Sequence, residues 1–324
     1  MNRPPSNLRR TLLPALVVAL VAAAWMNCRR EHASRTEGPV TIRVSGAWAL
    51  YPMMVKWGEE YQKANPGVRI DVSAGGAGKG IADSMAGLVD LGMVSRDIKP
   101  EETSQGAVFV PVVKDAVIPV MNAGNPVAAR IGQQGLQRSH FADLWIQEKP
   151  LTWGQLAHGS ASQKVQVYSR SDACGAAETW AQYLGRKQED LKGVGVYGDP
   201  GLAEAVRKDA SGIGYNNLNF AFDPASGKPV QGLMAIPIDV NGNGKVDPPE
   251  AIDTKEKAMA AIRSGAYPAP PARDLNLVAK ADFKGPAGAF VKWVLTDGQK
   301  YVDEAGYIKI ADTQIASALA KVHP

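Results

Sequence analysis

Between Thr41 and Ser95 the apolar period of the chain switches repeatedly between 2 and 3.6, and this constrains its fold more than any other feature. "TIRVSG" puts Ile42 and Val44 on one face of a short strand. "YPMMVKWGEEYQKANPG" places Pro52 near a first helical turn, spaces Met54, Trp57 and Tyr61 along one face, and stops at Pro66-Gly67. "VRIDVSA" alternates Val68, Ile70 and Val72, the glycine loop "GGAGKG" opens a further helix "IADSMAGL", and "VDLGMVS" reads as a third strand. The order β-α-β-α-β predicts an α/β chain with a parallel sheet. In such sheets ligands bind at the carboxyl ends of the strands, which selects the loops Gly46–Tyr51, Ala74–Gly80 and Val94–Asp97. "VQVYSRSDACGAAETWAQYLG" repeats the strand-loop-helix pattern further on.

Net charge excludes a partner class. The chain carries 36 Lys and Arg against 32 Asp and Glu. Six of the basic residues and two of the acidic ones fall within residues 1–38, so the body has thirty of each sign and no surplus to favour nucleic acid. The terminal excess has its own meaning. Arg3, Arg9 and Arg10 precede the apolar run "TLLPALVVALVAAAWM", which is short for a membrane span and has the length of an export signal. Cys28 follows at once, so residues 1–27 read as a signal peptide and Cys28 as a candidate lipid-attachment residue; Trp25-Met26-Asn27 fit the small-residue lipoprotein site poorly, which keeps a plain signal peptide or an uncleaved anchor as alternatives. Residues 28–38 are a polar tether and 39–324 the folded body, in the periplasm or cell envelope.

Three stretches carry candidate chemistry. "AGGAGKG" offers backbone N–H groups and Lys79 to an anion, or is a flexible turn. "SRSDACGAAETW" frames Cys174 with Arg170, Asp172 and Glu178 at a helix start. A helix N-terminus and an arginine would lower the thiol's pKa and make a nucleophile. None of the four histidines stands in a partner motif, however, and no G-x-S-x-G or H-E-x-x-H is present, so a small inert residue in a tight turn is the better reading and an enzyme is not expected. Trp48 and Tyr51 line a cleft or pack the core.

"DVNGNGKVDPPE" matches the calcium-loop pattern D-x-[DN]-x-[DN]-G-x₅-E. Asp239, Asn241 and Asn243 would give side-chain oxygens, Lys245 its carbonyl, Asp247 a direct or water-mediated contact and Glu250 a bidentate carboxylate to a structural calcium ion. The strand-like "LMAIPI" before it argues against a full EF-hand. Asp247, Pro248 and Glu250 also suit a helix start with a capping box, the alternative without metal.

Taken in order, "SGAWALYPMMVKWGEEYQKANPGV", "AGGAGKGIAD", "VDLGMVSRDIKPEE", "SRSDACGAAETW", "SGIGYNN" and "GAYPAPPARDLNLV…FVKWVLTDGQKYV" resemble the periplasmic phosphate-binding proteins of bacterial ABC importers, over most of Pro39 to Val302. The resemblance implies a two-lobed periplasmic-binding-protein fold, each lobe a mostly parallel sheet flanked by helices, with the ligand cleft between them. It implies one lobe of about 39–118 and 233–324, another of about 119–232, a monomer, and permease subunits as partners. Carried over by position, Asp90 matches an aspartate that accepts the ligand's proton, Arg170 the binding arginine, and Gly175 the glycine of the helix-opening turn. Ala49, Leu50, Ala77, Cys174 and Ala176 fall where hydroxyls or N–H groups are usual. Alanines at 49, 77 and 176 remove those hydroxyls, and each lost bond to a charged ligand removes about 1.5–3 kcal/mol. The expected activity is capture of phosphate or a related oxyanion; the alternative is a scaffold or sensor of the same fold whose pocket takes another small anion or none.

Overall fold

The computed structural model describes Met1 and residues 39–323. Beyond Met1, the expected signal peptide, the expected tether and Cys28 lie outside the described residues. The strands are β1 (Val40–Ala47), β2 (Val68–Gly75), β3 (Leu91–Val94), β4 (Ala107–Asn122), β5 (Gln166–Arg170), β6 (Val194–Val196), β7 (Gly212–Asn217), β8 (Leu233–Ala235) and β9 (Ala272–Lys280), with a short pair β10 (Phe283–Lys284) and β11 (Val322–His323) apart from the main sheet. The sheet runs β2-β1-β3-β9-β4-β7-β5-β6, with β8 added on β4. Its outer parts are parallel (β1 with β3, β5 with β6 and β7) and its centre is antiparallel (β4 with β7, β8 and β9; β3 with β9).

Local structure follows the apolar pattern. Helix Tyr51–Ala64 buries Met53, Met54, Trp57 and Tyr61 on one face and ends before Pro66. β2 buries only Ile70 of its expected stripe and leaves Val68 and Val72 half-buried, because it is the edge strand and has less of the chain packed over it.

β4 and β9 divide the interior. One apolar core takes Ile42 through Val113 and resumes at Leu275; the other runs from Ala116 to Ala272 and includes Ile308. In the β4–β9 register the two apolar sets part between Val113↔Leu275 and Ala116↔Ala272, and the intervening pairs are polar: Lys114↔Asp274 and Asp115↔Arg273. The register shift next to Pro111 falls where the chain lacks an N–H for the ladder. The second core is aromatic, with Trp180 stacked on Tyr215 at 5.6 Å and edge-on to Trp145 at 5.5 Å. Ile252, Ala258, Met259 and Ile262 pack into this core. The return to the first core therefore comes near residue 275, where β9 crosses back, and not at the sequence-based boundary near 233.

Candidate functional site

The loops after β1, β2, β3 and β5 meet where the two cores face each other. Gly76, which caps helix Ala77–Met85, lies so close to Ala173 that a Cβ there would overlap the Ala173 carbonyl oxygen. Gly78 N–H donates to that same oxygen at 3.2 Å. At Gly175, the first residue of helix Gly175–Tyr183, a Cβ would run into the carbonyl and hydroxyl of Ser95. The first-core and second-core loops are thus in direct contact. Trp48 joins them, edge-on to Phe220 at 6.3 Å and against Gly198. A cavity of about 470 Å³ opens beside this contact, lined by Gly78, Arg96, Arg170, Ala173, Cys174 and Gln188 among others.

The expected backbone donors divide into two groups. Leu50 N–H is taken by Ala47 O at 3.1 Å, and Cys174 N–H by Gln188 Oε1 at 3.2 Å. The N–H groups of Ala49, Ala77, Gly175 and Ala176 have no protein acceptor among the described residues. Three of the four belong to the first turns of two helices, where the unpaired N–H groups and the helix dipole favour an anion.

Arg170 lies at the end of β5 with its side chain wholly enclosed. Its Nε and Nη2 donate to Asp172 at 2.7 and 2.6 Å, and its Nη1 donates to Asp199 Oδ2 at 2.6 Å. Asp199 is itself fully buried and also accepts from Asn217 N and Nδ2 at 3.0 and 2.8 Å. Neither partnership is readable in the sequence. Asp172 stands two residues away but offers no sign of its direction, and Asp199 lies 29 residues on, at the start of helix Gly198–Lys208.

Asp90 is not at this site. It precedes β3, exchanges hydrogen bonds with Arg43 (Arg43 N to Asp90 Oδ2 at 2.7 Å, Asp90 N to Arg43 O at 3.0 Å) and is exposed. Ligand loops follow strands at their carboxyl ends, and a residue that enters β3 stands at the opposite end. Ser95, which follows β3, is the residue that touches Gly175.

Cys174 is buried, and its Sγ accepts from Ala177 N at 3.4 Å as the helix cap. Burial pushes its thiol up to about 12, against the opposing pull of Arg170. The expected lowering by the arginine and helix start is outweighed, so the thiol stays protonated at neutral pH and is a poor nucleophile.

Between the cores, Asp115 is fully buried and held 3.5 Å from Arg273 Nη1. Burial raises its carboxyl to about 6, with Arg273 opposing. Arg273 Nε also donates to Ser95 O at 3.2 Å and Nη2 donates to Asn217 Oδ1, which ties the crossing strand to the site loops.

In the 239–250 loop, Asp239 accepts from Gly242 and Asn243 N through Oδ1 (2.8 and 3.2 Å), and from Gly244 N through Oδ2 (3.0 Å). Asp247 Oδ2 accepts from the Asn241 and Asn243 amides at 2.8 Å each, which lower its carboxyl below the usual range. Glu250 bonds Val240 N and Asp247 N. Its capping box closes a single 3-10 turn, Pro248–Glu250, rather than the α-helix the sequence suggested. Lys245 points its ammonium at Asp247 Oδ1, 3.4 Å away. Among the described residues no three His, Cys, Asp or Glu side chains gather as a metal-binding group.

Two α/β cores, joined by crossing strands and meeting at helix-opening loops, define a two-lobed binding protein as the class. The chain belongs to the PBP superfamily: the model of that domain matches residues 33–297. It is similar to the phosphate-binding protein PstS of Xylella fastidiosa, 26% identical with 83% of this chain and 82% of the relative covered. It is also similar to protein SphX of Synechococcus elongatus, 25% identical over 95% of this chain and 87% of the relative. A solved ABC-type phosphate transport receptor from Vibrio cholerae superimposes with a TM-score of 0.61 at 19% identity, covering 83% of this chain and all of that one.

Proposed function

We propose that this protein is an extracytoplasmic solute-binding protein that captures phosphate or a related oxyanion for an ABC importer. The observation that carries the reading is the set of N–H groups at Ala49, Ala77, Gly175 and Ala176 that have no acceptor among the described residues, contributed from both sides of the loop contact. Relatives named as phosphate-binding proteins support the ligand class. The basic-then-apolar N-terminus supports export, with Cys28 as a lipid anchor at the envelope; a diacylglyceryl mass on Cys28 in the membrane fraction tests it. Among the described residues no helix is long and apolar enough to cross a membrane.

Titration calorimetry of the full-length chain in mild detergent against phosphate, arsenate, sulfate and small organic anions tests capture. Saturable binding of phosphate is the expected result. Absence of binding to any of them favours a scaffold or sensor, a reading to which the missing hydroxyls and the engagement of all three Arg170 nitrogens by Asp172 and Asp199 both lend weight.

The 239–250 loop is proposed to take one calcium ion through Asp239, Asn241, Asn243, the Lys245 carbonyl, Asp247 and Glu250. Asx-type bonds already fold these oxygens onto one loop, and Gly242 and Gly244 supply its left-handed turns.

A further inference from the structure

Two half-buried aromatic residues at the seam between the cores serve neither core. Trp48 stands between Ala47 and Ala49, which belong to the first, and Phe220 stands beside Ala221, which belongs to the second, yet neither ring is part of either. They meet each other instead, edge-on at 6.3 Å with an interplanar angle of 85°. Of the aromatic pairs among the described residues, this is the one whose rings come from opposite sides of the seam. The Cε2–Nε1 edge of the indole also lies against Gly198, where a Cβ would come within 3.3 Å of it. Gly198 has φ +72° and its N–H donates to Asp172 at 3.2 Å, which fixes this seat to the turn after β5. On its own side Trp48 is held by its N–H bond to Gly75 O at 3.0 Å and by Tyr51, edge-on at 6.2 Å. The loop contacts beside it use backbone and small residues, Gly76 and Gly78 on Ala173 and Ser95 on Gly175.

We infer that Trp48 is a clasp between the lobes: its ring, seated on Phe220 and Gly198, favours the closed arrangement of the loops and slows release of the captured anion. The inference rests on the oxyanion-capture reading above. Burial of ring surface and the edge-on aromatic pair both favour closing. One group opposes it. Trp48 Nε1 is shut from solvent with no acceptor among the described residues, and it regains a hydrogen bond to water when the seam opens. These opposing terms leave the contact releasable. Because the ring belongs to neither core, its loss shifts the closing equilibrium and leaves the fold of each lobe in place. A ligand that binds the closed arrangement gains apparent affinity in proportion to the fraction closed. Such a ligand leaves only when the seam opens, so the gain falls on the off-rate.

Calorimetry and stopped-flow release of inorganic phosphate, on the full-length chain in mild detergent, test this. Trp48→Ala and Phe220→Ala each weaken phosphate binding at least about fivefold, and the loss lies in faster release. Both remove the same contact, so the double variant stays within about twofold of the weaker single one. Trp48→Phe keeps a ring and lacks the N–H, and it binds phosphate within about threefold of the natural protein. Hydrogen exchange reads the seam without ligand. The Gly78 N–H, whose acceptor is Ala173 O on the other side, exchanges at least about fivefold faster in both alanine variants, while the amides of β4 and β7 keep their protection. Phe220→Ala decides the matter should Trp48→Ala fail to fold. Additive losses in the double variant, or a Trp48→Phe loss equal to that of Trp48→Ala, make Trp48 a direct ligand contact and overturn the clasp. Unchanged exchange at Gly78 overturns it as well. Absence of phosphate binding in every protein, the natural one included, overturns the capture reading instead, and the closing role of Trp48 is then decided by Gly78 exchange alone.

Discussion

Arg170→Met removes the cation from the buried triad while keeping a side chain of similar reach. The guanidinium makes three charge-assisted hydrogen bonds, two to Asp172 and one to Asp199. Without it, Asp199 retains the Asn217 N–H and amide, and Asp172 retains the Gly198 N–H at 3.2 Å. These neutral donors soften the loss but leave two carboxylates buried without a counter-charge, for which about 3–5 kcal/mol is the usual cost. At about 2 °C per kcal/mol for a chain of this size, the melting temperature falls by about 6–10 °C. Asp199→Asn alone forfeits one charge-assisted bond, about 1.5–3 kcal/mol, and recovers part of it by relieving repulsion from Asp172. The double variant separates the terms. An asparagine at 199 no longer needs the cation, so the double variant is more stable than the sum of the single losses by at least about 1.5 kcal/mol. Urea denaturation of the four proteins at neutral pH, followed by tryptophan fluorescence, measures this. Strict additivity, or a loss below about 1 kcal/mol for Arg170→Met, refutes the idea that a desolvated triad holds the loop.

Three further outcomes are expected. Asp115, raised from 3.8 to about 6, keeps its proton in the folded chain where the unfolded chain has lost it. Stability therefore falls as pH rises from about 4 to about 6, by up to about 3 kcal/mol, and then levels; Asp115→Asn flattens that slope in urea midpoints, and an unchanged slope refutes the assignment. Calcium at a hundredfold excess over its dissociation constant stabilises by about 2.7 kcal/mol, raising the melting temperature by about 5 °C, and Glu250→Gln removes most of the gain. Identical melting curves in calcium and chelator leave the loop as a turn only. Gly175→Ala drives a methyl into Ser95 and weakens phosphate binding at least about tenfold by calorimetry, whereas unchanged affinity refutes a ligand held at that turn.

Local pattern alone determined much of this protein. The spacing of Met54, Trp57 and Tyr61, the stops at Pro66 and Gly67, and the glycine before Ala77 are short-range instructions, and the chain folded locally as they dictate. The positions of Arg170, Cys174 and Gly175 at a strand-to-helix turn were legible for the same reason, since backbone direction follows from the order of elements. What a side chain meets across the fold was not legible. Asp199 reaches Arg170 from 29 residues away, and Asp115 meets Arg273 only because β4 and β9 run antiparallel in that register. Asp90 shows the limit most plainly. Its neighbourhood in sequence is the right strand, but a strand has two ends about 13 Å apart at four residues, and only the tertiary arrangement says which end the ligand loops occupy. The lobe boundary was missed likewise, because helix Lys255–Ser264 has an amphipathic face that suits either core, and the crossing strands, not that face, decide which core receives it.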